Sequence, residues 1–523
     1  MSFSPRRHKE LMNDPGLTIV PPGPGWGSFW LTMGLLALML FGFVSQAGRV
    51  INKISPAPVK EKAFTGVPMS PDEKYRINLA LRAHALQQAD PELGVTDNFN
   101  RWLPHYTDGE TGPFWPWAVS RLVAEEHPFQ ESAEMAEDYG LLRRGKWMHV
   151  WMAAFFLSLA GFLAAGYLSP PAVMLMLLPA AFMTLLPASV MFRQDLLYYL
   201  LFFLCWLCAL RLLRKNSVWL HGAFGVLTGV AWLTETNTWI LMAAWFIAAS
   251  LRWLGEILRR GEARVEETWT SRNHFVGLVA MAIGWLAVCG PRCGAAMDRW
   301  GKPFFSYQQQ WMWLDTTDRG ALLKWARAHP GKQELSEIPE SERPSFANYQ
   351  RTHSPEQMQE RLVNGWSRVW RSLTVPLQDG TAPRWQGVLT MPGVYPLGGI
   401  VILAGACIVA LSRRKKVDRE GLELPDGVWS GAFFTAVATA GYGAWHGWMA
   451  PPVIGEPVWL HAGIAVLFLP LMFTLVRGAE GLMTLARMRG APRWTWQIYQ
   501  ILMWLLVAGA AAWIIPSVMA AGE

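Results

Sequence analysis

Residues 26–46 read WGSFWLTMGLLALMLFGFVSQ, and this stretch decides the class of the fold. It contains no Asp, Glu, Lys or Arg. A helix of about 20 such residues rises about 30 Å, the thickness of a bilayer's hydrocarbon core. Arg6, Arg7 and Lys9 precede it, so the positive-inside rule sets the N-terminus in the cytoplasm and sends the chain outward. The run starts too far along the chain, and is too long, for the core of a cleavable signal; it reads as a permanent anchor.

The pattern recurs. Apolar runs cover residues 147–168 and 172–191, turning at Ser169-Pro170-Pro171, and 275–289 later in the chain. Basic clusters stand beside the ends of runs: Arg211, Arg214 and Lys215; Arg252, Arg259, Arg260 and Arg264; Arg413, Arg414, Lys415 and Lys416; Arg477, Arg487, Arg489 and Arg493. Alternating the runs strictly across the membrane puts every cluster on the cytoplasmic side. The expected fold class is an all-α polytopic membrane protein with about eleven transmembrane helices and two long, mostly helical external loops. Residues 1–25 form a cytoplasmic segment, 26–46 the first span, 47–145 the first external loop and 146–289 spans two to seven. Residues 290–390 form the second external loop and 391–523 spans eight to eleven, leaving the C-terminus outside.

Composition agrees. The 523 residues are 52% hydrophobic and 16% charged, against about 25% charged in soluble proteins. Thirty Trp suit a chain with much surface at the membrane–water boundary. The net charge of +7 lies in the clusters that set topology, so it does not point to a nucleic-acid partner. Cys205, Cys208 and Cys407 sit inside apolar runs. Cys289 and Cys293 are spaced C-x3-C where a helix should leave the membrane, a spacing compatible with a local disulfide in an oxidising compartment.

Within the first loop, Ser70-Pro71-Asp72-Glu73 predicts a helix start running to about Gln88, and residues 113–123 predict an aromatic helix lying in the interface. Between them stands His105-Tyr106-Thr107-Asp108-Gly109-Glu110. Two carboxylates one residue apart serve a base that takes a proton from a hydroxyl, or a pair that holds a divalent metal through oxygen. A solvated turn accounts for the same residues, since Asp-Gly is a common turn dipeptide. Asp195 follows Phe192-Arg193-Gln194 at a short external corner, where it either favours the helix dipole or faces the external cavity. Glu235 lies in Thr234-Glu235-Thr236-Asn237-Thr238, as a cap of the next helix or as a cavity acid. Arg292, Arg299 and Lys302 follow the seventh run, where they either anchor a helix end or bind a phosphate. No Walker, dinucleotide-binding, zincin or nucleophile-elbow motif is present in the chain.

Taken in order, Asp108-Gly109-Glu110, Phe192-Arg193-Gln194-Asp195, residues 225–231 (GVLTGVA) and Pro291-Arg292…Gly301-Lys302-Pro303-Phe304 resemble the GT-C membrane glycosyltransferases. The likeness is to the protein-mannosyltransferase and aminoarabinose-transferase branch, and it covers roughly residues 25–315, departing where Thr234-Glu235 follow the fifth run. It implies a polyprenyl-phosphate-linked sugar donor and a cell-envelope setting in a bacterial inner (plasma) membrane, among membrane lipids and membrane-protein partners. It also implies Asp108 as the base, with Glu110 and Asp195 orienting the reactants. Arg193, Arg292, Lys302, Glu235, His105 and Tyr106 would line the binding site. A divalent cation, if used, would be Mg or Mn on Asp108 and Glu110 rather than zinc. Two other classes remain: a non-catalytic scaffold on the same fold, and a transporter. The transporter reading has against it that Asp195 and Glu235 lie at run ends and that no duplicated halves are visible.

Overall fold

The structure is a computed structural model that describes residues 26–54, 69, 71–90, 92–106, 112–123, 138–258, 271–315, 319–374, 394–411, 428–453, 466–488 and 490–522. Every regular element among these residues is helical. The first, α1 (Trp26–Ile54), is followed by three short helices, α2 (Pro71–Gln88), α3 (Val95–Trp102) and α4 (Phe114–Val119). Long apolar helices then alternate with tight corners: α5 (Tyr139–Ala165), α6 (Pro170–Val190), α7 (Asp195–Arg214), α8 (Val218–Thr234), α9 (Thr238–Leu258) and α10 (Ser271–Trp300). Five polar helices follow: α11 (Tyr307–Trp311), α12 (Arg319–Ala328), α13 (Lys332–Glu337), α14 (Phe346–Thr352) and α15 (Pro355–Thr374). The C-terminal part holds α16 (Val394–Leu411), α17 (Val428–Val453), α18 (Phe468–Met488) and α19 (Arg493–Gly522).

Eight of these helices, α1, α5, α6, α7, α9, α10, α18 and α19, are long and apolar enough to cross a membrane, which is compatible with an integral membrane protein. The remaining runs that the sequence pattern counted towards about eleven are helical but fall short of one requirement. α8 and the apolar part of α16 are shorter, and α17 dilutes its apolar residues with Thr435, Thr439, Tyr442 and His446. The basic residues 6–9, 259–264 and 413–416, which carried the sidedness reading, lie outside the described residues.

One continuous core of buried side chains runs through the bundle, with Phe43, Trp206, Trp245, Phe434 and Met503 drawn from distant parts of the chain. α6 is buried along its whole apolar window and carries a π-helical turn at Ala180–Leu185. Pro187, which lacks an N–H, cannot donate to the carbonyl four residues back, and such gaps in the ladder favour a locally widened turn.

The pairing of α8 with α10 positions the functional region. A methyl group on Gly225 would collide with the Met281 carbonyl, and one on Gly284 would lie 2.6 Å from the Gly222 carbonyl oxygen. Gly229 faces Val288 and Cys289 in the same seam. The glycines of residues 225–231 therefore let two backbones approach, as small residues do between helices in lipid.

The seventh apolar run, read as leaving the membrane near Cys289, belongs to a longer helix: α10 continues through Pro291 to Trp300. A proline inside a helix costs about 3 kcal/mol. Packing on both sides of it offsets that cost: before it Cys289 is buried against α8, and beyond it Ala296 and Trp300 enter a core with Phe305, Tyr307, Trp311 and Leu322. The helix stops at Gly301, whose φ of +71° and N–H bond to Met297 O (2.9 Å) make a left-handed C-terminal cap.

Candidate functional site

The corner between α6 and α7 is fixed from three sides. Asp195 opens α7, and its Oδ2 lies 3.1 Å from Arg193 Nε. Arg193 is 6% exposed, so its charge needs this partner. Gln194 accepts a hydrogen bond from Arg76 of α2, itself 1% exposed, whose guanidinium also lies 5.9 Å from the Trp115 ring centroid. Phe192 packs edge-on against Trp115 at 4.9 Å, and a methyl on Gly145 of α5 would overlap its ring. Trp115 Nε1–H donates to His149 Nε2 (3.3 Å), which leaves Nδ1 to carry the imidazole proton and donate to Met191 O (3.0 Å). Beside them Lys146 Nζ and Glu73 Oε1 pair at 3.1 Å.

A second arm comes from α10. Arg292 is 5% exposed, and its guanidinium lies between two rings, 5.2 Å from the Tyr106 centroid and 4.8 Å from that of Trp300. Such stacking suits arginine, whose planar and weakly hydrated charge tolerates aromatic walls.

The third arm is the turn between α8 and α9. Glu235 N–H closes the end of α8 on Ala231 O (2.8 Å), while its backbone carbonyl accepts from Thr238 N–H (3.3 Å) and Oγ1 (2.9 Å). These main-chain bonds hold the turn, and the carboxylate lies within electrostatic reach of the Tyr198 and Tyr442 hydroxyls. Tyr442 Oη–H donates to Asn237 O (3.0 Å), so Tyr198 Oη–H must be the donor in the 2.5 Å bond between the two phenols. This ties α7, α17 and the α8–α9 turn together.

One short stretch, residues 112–115, packs beside the corner and the turn and shares an apolar cluster with α10. A methyl on Gly112 would lie 2.5 Å from Thr234 O and still closer to Leu233 O, immediately before Glu235. Phe114 joins the apolar cluster of Trp232, Leu233, Cys289 and Cys293, which flanks Arg292 in sequence. Trp115 covers Phe192, beside Arg193. Trp102 Nε1–H donates to Pro113 O (3.1 Å), so the chain just before and just after residues 107–111 is stapled together. Tyr106, buried just before those residues in the sequence, is the residue stacked on Arg292.

Asp108 and Glu110 lie outside the described residues, as does the His105 side chain. Arg193 pairs with Asp195 and Tyr106 stacks on Arg292, and the 112–115 stretch packs on the neighbours of these residues and of Glu235: Phe192, Thr234 and the cluster holding Cys293. Lys302 stands apart: it is exposed beyond the Gly301 turn, and no described contact links it to Arg292. Arg299 donates instead to Pro330 O (3.1 Å) in the loop that follows. In the stretch read as an interfacial helix, Trp115 and Val119 are fully buried in a cluster with Ile77 and Leu81 of α2. Cys289 and Cys293 fall one turn apart on α10 as free thiols. Arg76, Lys146, Tyr198 and Tyr442 were not anticipated. Arg76 sits between Tyr75 and Ile77 in a mixed pattern that does not reveal a buried charge, and nothing local distinguishes Tyr442. Among the described residues no three His, Cys, Asp or Glu side chains gather as a metal site. No protein-family model matches the chain, and no curated protein matches it.

Proposed function

We propose that the chain is a membrane-embedded glycosyltransferase that moves a sugar from a polyprenyl-phosphate donor to an acceptor hydroxyl. The reading rests on one observation above the others. A single stretch, 112–115, bound on one side to Trp102, packs on Phe192 before the Arg193–Asp195 pair, lies against Leu233 and Thr234 before Glu235, and shares an apolar cluster with Cys289 and Cys293 of α10. Segments that carry Asp195, Glu235 and the ring-walled Arg292 thereby pack around one piece of chain.

In this reading the site faces the non-cytoplasmic side, and the GT-C likeness of the motifs supplies the roles. The Asp108 carboxylate takes the proton of the acceptor hydroxyl as its oxygen forms a bond to the anomeric carbon. The bond from that carbon to the phosphate oxygen breaks, and polyprenyl phosphate leaves with the electron pair. Attack opposite the leaving group inverts the configuration. Arg292, already desolvated between Tyr106 and Trp300, stabilises the charge that grows on the phosphate, an electrostatic contribution that is strongest where water is excluded. Glu110 and Asp195 orient the reactants, Asp195 being itself oriented by Arg193. Any Mg or Mn ion would rely on Asp108 and Glu110.

The test is turnover in proteoliposomes: release of polyprenyl phosphate from a polyprenyl-phosphate sugar, with and without Asp108→Asn and Asp195→Asn. Loss of release in Asp108→Asn with unchanged thermal stability is expected. Full turnover in both variants refutes the roles, and absence of turnover in the parent with a panel of donors favours a scaffold.

A further inference from the structure

Of the two rings that wall Arg292, Trp300 carries a polar group as well as an aromatic face. It is 3% exposed, and its indole N–H has no acceptor. Buried donors are almost always paired, because an unpaired one keeps its full desolvation cost. The indoles of Trp102, Trp115, Trp206 and Trp448 follow that rule, donating to Pro113 O, His149 Nε2, Thr435 Oγ1 and Met312 O. Packing holds the Trp300 ring where it is. The residue ends α10 just before the left-handed Gly301, stacks on Phe305 with centroids 4.8 Å and planes 14° apart, and meets Tyr307 edge-on.

Two guanidiniums stand at this ring, Arg292 at 4.8 Å and Arg299 at 5.4 Å from its centroid. Trp245, Trp285 and Trp311 also have buried N–H groups without an acceptor, but among the described residues no cation lies over their rings. Trp300 is where an unanswered donor and positive charge coincide. Indole and guanidinium groups can only donate, so the ligand that answers both is an anion. A tetrahedral oxyanion offers them separate oxygens, and its geometry matches the planar fork of arginine. Hydrogen bonds of about 2.9 Å to two oxygens of one phosphate bridge a guanidinium and a ring whose separation is 4.8 Å.

We infer that Trp300 is a phosphate ligand of the site: its indole N–H donates to an oxygen of the polyprenyl phosphate whose charge Arg292 balances. This rests on the phosphate-linked donor proposed above and adds a residue to it. The indole is neutral, so it contributes direction rather than charge, fixing how the phosphate is turned against the guanidinium. The departing phosphate monoester carries more negative charge than the diester it comes from. The bond from Trp300 therefore strengthens as the sugar leaves, in a place already closed to water.

The test is binding of polyprenyl phosphate, and of the uncharged polyprenyl alcohol, to the full chain in nanodiscs, read from the thermal midpoint as ligand is added. The parent is expected to prefer the phosphate. Trp300→Phe should weaken phosphate binding about tenfold, the scale of one hydrogen bond to a charged group, and leave alcohol binding unchanged. Trp311→Phe removes another unanswered N–H from the same core and should keep both affinities. Parent-like phosphate binding in Trp300→Phe overturns the inference; if Arg292→Gln then loses the preference for phosphate, the proposed function stands without Trp300. If Arg292→Gln binds as the parent does, or the parent has no preference, the phosphate site itself fails and the inference with it. An equal loss in Trp311→Phe, or a loss shared by the alcohol, marks a packing effect and also overturns the inference. Should Trp300→Phe not fold, a benzothiophene in place of the Trp300 indole, equal in shape but without the N–H, decides by the same comparison.

Discussion

Gly112→Ala is the sharpest perturbation of the stretch that packs beside the corner, the turn and α10. The added methyl would lie 2.5 Å from Thr234 O and 2.6 Å from the Leu233 carbonyl carbon. Both belong to the last turn of α8, whose backbone cannot rotate away as a flexible side chain can. Either the 112–115 stretch or the end of α8 must retreat, and overpacking of this kind costs about 1–3 kcal/mol. The functional loss should exceed the loss of stability. A displacement of about 1 Å in the groups that hold reacting atoms can lower turnover about 10²-fold, and residues 112–115 stand between the acidic motif and both the Glu235 turn and the Phe192 corner. The assay pairs the thermal midpoint of the detergent-solubilised protein with polyprenyl phosphate release in proteoliposomes. Gly294→Ala is the control: it lies in the exposed interior of α10 with no atom within 4 Å of the added methyl. Better helix propensity alone should stabilise it by about 0.5–1 kcal/mol. If Gly112→Ala matches the parent in both assays, the close approach is not present in the folded protein and the convergence argument fails.

Three more outcomes follow from the same contacts. Glu73→Gln strands the buried Lys146 ammonium and should cost about 3–5 kcal/mol, whereas Glu73→Leu with Lys146→Met should recover most of that loss in a double-mutant cycle measured by thermal unfolding; equal losses in the single and double variants refute the pairing. Tyr442→Phe removes the donor to Asn237 O and the acceptor for Tyr198, and should destabilise the protein by about 1–3 kcal/mol, with faster amide exchange in residues 235–238; unchanged exchange there contradicts it. Glu356 is held below the ordinary carboxylate range, first by its hydrogen bond with Ser354 and then by a backbone N–H. Its contribution to the start of α15 is therefore present above the unfolded carboxylate pKa and lost as pH falls through the depressed folded value. Amide exchange in residues 355–358, corrected for the intrinsic rate, should rise on acidification in the parent but not in Glu356→Gln.

Local chemistry made part of this molecule legible and left part of it hidden. The helix from Pro71 to Gln88 follows from its Ser-Pro-Asp-Glu start, and the corner at residues 192–195 follows from polar residues between two apolar runs. Arg292 reads in the sequence either as a phosphate ligand or as an interfacial anchor, and neither reading gives its burial between two rings. Its burial depends on α10 persisting through Pro291, a decision taken by packing against α8 and the residue 296–322 core rather than by propensity. The pairings that shape the site, Arg76 with Gln194, Tyr198 with Tyr442 and Gly112 with Leu233, connect residues scores or hundreds of positions apart. Hydropathy and spacing report which face of an element is apolar; they do not report which distant element will cover it. For the same reason Lys302 read as a companion of Arg292, although the left-handed turn at Gly301 carries it away to an exposed position.

The most direct measurement is a cryo-EM map of the protein in lipid nanodiscs with polyprenyl phosphate bound, at a resolution that shows side chains. The account predicts phosphate density in ion-pair contact with the Arg292 guanidinium, with Asp108 and Asp195 facing the same cavity. Phosphate bound elsewhere, or Asp108 and Asp195 opening to opposite ends of the bundle, contradicts it.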